Sequence, residues 1–240
     1  MRDQLILLPG WAYGPAALQP LCEALTEVAP SLDVIIESLP ELPEADSWLD
    51  ELDRRLPDNS WLAGWSLGGM LAAQLAARRL DSCRGLITIA SNPCFRARPQ
   101  WPEGMAPDIF DAFQEAFTLD PEETLKRFRL LCSRGGYDPR TLARQLEVSQ
   151  SDSAPTVLQA GLRLLAELDG RDALHGYFGP QLHLFAGGDA LVPSTACDAL
   201  QRWMPGIEAE LITSTSHALP LERPDDVATT IAAFIKGKAE

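Results

Sequence analysis

The hexapeptide Gly64-Trp65-Ser66-Leu67-Gly68-Gly69 constrains this chain more than any other stretch. It follows the short apolar run 61–63 and opens a helical pattern reaching about Leu80, which predicts a strand, a sharp turn and a helix. A serine on such a turn sits on strained backbone, and strand and helix converge so closely that the positions two before and two after it must be nearly free of side chain. Gly64 and Gly68 fill those positions. A Gly-rich connection without special function has the same composition. The flanking strand and helix are what favour a serine displayed for chemistry.

The remainder of the chain repeats this alternation. Apolar runs at 4–8, 33–38, 61–65 and 85–90 predict strands, and helical spacing covers 15–28, 46–56 and 67–80. Continuous apolar strands between helices predict an α/β fold: a mostly parallel sheet of about six strands with helices on both faces. From about Ser91 the rhythm breaks, and helical patterns near 109–117, 122–132, 139–148 and 155–168 follow one another without a strand. Residues 93–168 therefore read as a helical cap inserted into a core made of 1–92 and 169–240, the whole forming one folding unit. The sheet resumes at 181–186 and 208–212, with a helix starting near Pro193 and another after Pro224.

Bulk properties exclude several classes of function. A net charge of −14 argues against nucleic acid and against anionic membrane surfaces, both of which call for a basic footprint. Apolar runs fall far short of a membrane span, and the start Met1-Arg2-Asp3 leads into no long apolar segment of a secretory signal. Cys22, Cys83, Cys94, Cys132 and Cys197 are odd in number and scattered, which predicts free thiols and a cytoplasmic setting. No metal-ligand spacing is present, and no cofactor is expected.

A serine hydroxyl becomes a nucleophile when a histidine takes its proton and an acid fixes that histidine's tautomer. Of the three histidines, His183 lies inside a predicted strand and His175 in the link leaving the cap. His217 follows the last strand, at the sheet edge that carries Ser66. Asp189 follows the strand 181–186 behind two glycines, at the same edge, although a helix N-terminal residue before Pro193 is an equally good reading of it taken singly. The order Ser66, Asp189, His217 at three strand ends makes Ser66 the candidate nucleophile, His217 the base and Asp189 its partner. Backbone N–H groups of Leu67, after the nucleophile, and of Trp11, after the first strand, are the candidate oxyanion donors; the Trp11 side chain also suits a core position.

With these residues in place the chain resembles the α/β-hydrolase superfamily, and within it the pimeloyl-acyl-carrier-protein methyl ester carboxylesterases of biotin synthesis. The resemblance is carried by Leu7-Leu8-Pro9-Gly10-Trp11, by the serine hexapeptide and above all by Ala90-Ser91-Asn92-Pro93-Cys94-Phe95, running on to Arg98 and Trp101-Pro102. It implies a serine carboxylesterase that releases methanol from a pimeloyl chain borne on acyl carrier protein. It also implies that Trp11, Ser66, Leu67 and His217, with the cap segment Phe128, Arg129, Leu130, Leu131 and Cys132, contact the substrate, and that Arg127, Arg140 and Arg144 meet the acidic carrier. Between Thr124 and Leu146 six basic residues face one acid, a local reversal of the global charge that a solvated helix face would also explain. Glu123 and Pro9 depart from the family pattern, and the two antiparallel strands that commonly open the fold are not seen. We expect a monomer. The alternative is a general esterase or thioesterase acting on short free acyl esters.

Overall fold

A computed structural model of the chain describes residues 3–239. Met1 and Arg2, on which the reading of the N-terminal segment partly rests, lie outside the described residues. The elements run β1 (Asp3–Leu8), α1 (Gln19–Val28), β2 (Leu32–Ile36), α2 (Trp48–Arg55), β3 (Ser60–Trp65), α3 (Leu67–Arg79) and β4 (Cys83–Ile89). Four consecutive helices follow: α4 (Pro107–Leu119), α5 (Pro121–Ser133), α6 (Pro139–Val148) and α7 (Pro155–Glu167). The chain closes with α8 (Arg171–Gly176), β5 (Gln181–Ala186), α9 (Thr195–Trp203), β6 (Glu208–Ile212), α10 (Leu219–Glu222) and α11 (Pro224–Ala239).

The six strands form one sheet in the order β2-β1-β3-β4-β5-β6, every pair parallel. A parallel sheet needs cover on both faces because its crossovers are helical. Accordingly β3 and β5 are buried along their whole length, α1 packs with α11, and α3 packs between α2 and α8. Helix α3 lacks a polar face over its first turns: Leu67 to Ala73, Leu75 and Ala76 are all buried, as suits the central helix of the sheet. Because all strands are parallel, the segments after β1, β3, β5 and β6 leave at the same edge. That edge brings Trp11, Ser66, Asp189 and His217 within reach of one another.

Two local features differ from the sequence reading. His175, read as part of the link leaving the helical segment, lies in the short helix α8, with its ring tilted against that of Trp203 at a centroid distance of 5.9 Å. Helix α9 starts at Thr195, two residues beyond the proline that predicted it. The four consecutive helices begin more regularly: α4, α5, α6 and α7 all carry proline in the first turn, and Asp120 and Asp138 cap α5 and α6 by accepting from Glu123 N and Thr141 N at 3.1 Å. None of the described helices is long and apolar enough to cross a membrane.

Candidate active site

The turn after β3 has the predicted strain. Ser66 adopts φ 54°, ψ −118°, outside ordinary strand or helix geometry, between a fully buried strand and α3. Its N–H donates to Ile89 O at 2.9 Å, its carbonyl accepts from Met70 N at 3.2 Å, and Ser91 Oγ donates to that same carbonyl at 2.8 Å. With the bond that Gly69 N donates to the same carbonyl at 2.9 Å, four bonds hold the strained residue in place. The glycine requirement is steric: a Cβ on Gly64 would fall into the backbone of Gly68, and one on Gly68 into Leu8 O and, at 2.5 Å, Pro9 O. Gly64→Ala is expected to destabilise the protein by more than about 4 kcal/mol, beyond what most single substitutions cost, because the obstacle is backbone. A denaturant midpoint measures this, and a loss below about 1 kcal/mol would mean that strand and helix can separate freely.

His217 Nε2 lies 2.9 Å from Ser66 Oγ, and His217 Nδ1 lies 2.7 Å from Asp189 Oδ2. The other oxygen of Asp189 accepts from Leu191 N at 2.8 Å and Val192 N at 2.9 Å, so the carboxylate is satisfied on both sides. His217 is wholly buried, Ser66 is 5% exposed and the Asp189 side chain 1%. Water is thus kept from the relay, which strengthens each of these bonds. The backbone N–H groups of Trp11 and Leu67 have no backbone acceptor among the described residues, which leaves both available to a ligand oxygen. The other histidines are elsewhere. His183 is buried in β5, bonded to Thr88 Oγ1 at 2.8 Å, and burial pushes its imidazole down to about 3, so it stays neutral.

A run of aromatic rings links this relay to α4 and α5. Trp65 donates its Nε1–H to His217 O at 2.8 Å and faces Tyr13, whose ring centroid is 4.9 Å away. Tyr13 meets Phe128 at 6.1 Å, and Phe128 meets Trp11 edge-on at 4.8 Å. Trp11 is also flanked by Phe113 and Phe117 and donates its Nε1–H to Leu158 O at 2.7 Å, so its side chain joins the loop after β1 to α4, α5 and α7.

The α5 segment 128–132, carried over from the resemblance, divides by helix face. Thr124, Phe128 and Cys132 form the buried stripe of α5 at four-residue spacing, and Leu131 is half-buried beside it. Burial pushes the Cys132 thiol far up, and the same cause raises the Tyr13 hydroxyl next to it. Leu130 is 56% exposed on the opposite face of the helix. Arg129 is engaged, reaching Glu147 Oε1 at 3.1 Å and Gln150 Oε1 at 3.3 Å to tie α5 to α6. Among the basic residues of α5, Glu123 holds Arg127 at 3.2 Å and Lys126 at 3.7 Å. Arg134, Arg140 and Arg144 are exposed and form no ion pair among the described residues.

Sequence reasoning missed Ser91, Trp65 and Tyr13 as supports of the relay. The segment that carries the resemblance has a structural basis. Besides the bond from Ser91, Asn92 Oδ1 accepts from Trp101 Nε1 at 2.8 Å and Cys94 Sγ donates to Asp169 Oδ1 at 3.3 Å, fastening the segment between β4 and α4.

Comparison with known proteins agrees with this geometry. The model of the Alpha/beta hydrolase family matches residues 5–230. The pimeloyl-[acyl-carrier protein] methyl ester esterase of Aromatoleum aromaticum is 34% identical over 252 residues, covering 98% of this chain and 99% of that protein. The biotin biosynthesis bifunctional protein BioHC of Cellvibrio japonicus is 34% identical over 238 residues, and the chain spans 47% of its length. Among solved structures, a bromoperoxidase from Bacillus anthracis superposes with a TM-score of 0.85 at 19% identity, covering 98% of this chain and 92% of the other, which speaks to fold alone. An all-parallel six-stranded sheet, a serine at the turn after β3 and a family match over nearly the full length lead to one conclusion: this chain belongs to the alpha/beta hydrolase family.

Proposed function

We propose that this chain is a serine carboxylesterase that hydrolyses the methyl ester of pimeloyl-acyl carrier protein to the free acid and methanol, a step of biotin synthesis. The observation that carries the reading is the buried relay from Ser66 through His217 to Asp189, in a chain similar over its whole length to a methyl ester esterase. Ser66 Oγ attacks the ester carbonyl as His217 Nε2 takes its proton, and Asp189 steadies the resulting imidazolium through Nδ1–H. The Trp11 and Leu67 N–H groups receive the developing oxyanion. Collapse of the tetrahedral intermediate expels methoxide, which leaves as methanol with the proton from His217. Water, activated by the same imidazole, then attacks the acyl-enzyme, releases the carboxylic acid and restores Ser66.

Residues 93–168 act as a cap in this reading, with Phe128, Leu131 and Cys132 offering apolar surface to the methylene chain. The acidic carrier docks on Arg127, Arg140 and Arg144. Arg127 already shares its charge with Glu123, so Arg140 and Arg144 contribute more. Comparing kcat/KM on pimeloyl-acyl carrier protein methyl ester with that on free dimethyl pimelate tests the proposal. The carrier-borne ester is expected to be preferred, and the preference to fall about tenfold in an Arg127, Arg140, Arg144 triple alanine variant and with added salt. Equal rates on both esters would instead identify a general esterase.

A further inference from the structure

Glu222, at the end of α10, grips two parts of the molecule at once. Its Oε2 accepts from both Ser216 N and Ser216 Oγ at 2.7 Å, and its Oε1 accepts from Tyr137 N at 2.7 Å. Ser216 is wholly buried and immediately precedes His217. Tyr137 lies in the turn that leaves α5, and its side chain is 97% exposed. Close approach is built into that turn, since a Cβ on Gly136 would lie 2.6 Å from Glu222 Oε1. Its neighbour Gly135, at φ +89°, rests against Gly188, and Gly188 N donates to Thr215 O at 2.7 Å. Ala218 N donates to Cys132 O at 3.2 Å, so both flanks of His217 are held by the C-terminal end of α5 or by the carboxylate clasped to it.

We infer that Glu222 is a positioning residue for His217, fixing the histidine loop to the turn after α5 so that the imidazole stays in line with Ser66. The inference rests on the serine mechanism proposed above. A carboxylate suits the place because both oxygens must accept and all three partners donate. Glutamine keeps the shape but has one accepting oxygen. With that oxygen on Ser216 its NH₂ meets the Tyr137 N–H, and flipped it meets the Ser216 N–H, so one of the two holds is lost in either orientation. Ser216→Ala removes a single bond and leaves the Ser216 N–H in place.

The test uses p-nitrophenyl butyrate turnover and the rate at which a fluorophosphonate probe labels Ser66, in the full chain well below its melting temperature. Glu222→Gln is expected to lower kcat about tenfold with KM changed less than twofold, to slow labelling in parallel, and Ser216→Ala to give about a third of that effect on a logarithmic scale. A clasp that serves stability alone would lower Tm and leave both rates within twofold of the parent, and that result overturns the inference. Should Glu222→Gln not fold, the Ser216→Ala rates decide: a loss of about twofold or more upholds the positioning role and unchanged rates overturn it. An unmodified chain that the probe does not label would sink the serine mechanism itself, an outcome distinct from equal labelling of parent and variant.

Discussion

Ser66→Ala is expected to lower kcat on every ester the enzyme accepts by on the order of a million-fold, while folding and substrate affinity persist. In the proposed mechanism the hydroxyl attacks, and it lies 2.9 Å from the His217 nitrogen that would take its proton. No neighbour can substitute for it: the Cys132 thiol is buried, and burial raises its pKa far from the range in which a thiolate forms at neutral pH. The proposed oxyanion donors, Trp11 and Leu67 N–H, are backbone and survive the substitution, so a residual rate of about a thousandfold over water is expected. The alanine variant would also keep the hydrogen bonds of the turn, which run through the backbone N–H and carbonyl of this position and not through the side chain. Single-turnover kinetics with that variant, beside its melting curve, would measure this. A loss smaller than about a hundredfold in a folded variant would show that the reacting atom lies elsewhere.

The parts of the site legible in the sequence are those whose requirement is local. Gly64 is dictated by a steric collision with the Gly68 backbone four residues on, and Asp120-Pro121 and Asp138-Pro139 mark helix starts by capping chemistry confined to one turn. The relay was also legible, because parallel strands send the segments after β3, β5 and β6 to one edge whatever the packing between them. Supports of the relay were not. Trp65 reaches His217 across 152 positions, and Glu222 reaches Tyr137 across 85, so neither contact leaves a periodic trace. The outward face of Leu130 could have been read from the four-residue spacing of Thr124, Phe128 and Cys132. Likewise the pairing of Glu123 with Arg127 follows from i to i+4 spacing on a helix, and it moves the positive charge left unpaired among the described residues of α5 and α6 toward Arg134, Arg140 and Arg144.

Asp189→Asn is expected to cost about ten-thousandfold in kcat/KM at neutral pH, although it exchanges one oxygen for a nitrogen of nearly the same size. The reason lies in the other half of the carboxylate. Oδ1 accepts from Leu191 N and Val192 N, so an asparagine must keep its oxygen there or leave two donors facing an NH₂ group, each at about 1–3 kcal/mol. Keeping it there turns the NH₂ toward His217 Nδ1, which can only accept from it. The imidazole proton then moves to Nε2, where it faces Ser66 Oγ, and the histidine can no longer remove the serine proton. Asp189→Ala imposes no such tautomer, because nothing then donates to Nδ1, but it releases the Leu191 and Val192 amides and is expected to cost more in stability than asparagine does. Measuring kcat/KM and Tm for both variants therefore separates two functions of one carboxylate. If asparagine lost less than about a hundredfold, the 2.7 Å contact to Nδ1 would not be what sets the tautomer, and His217 would have to be oriented by the loop alone.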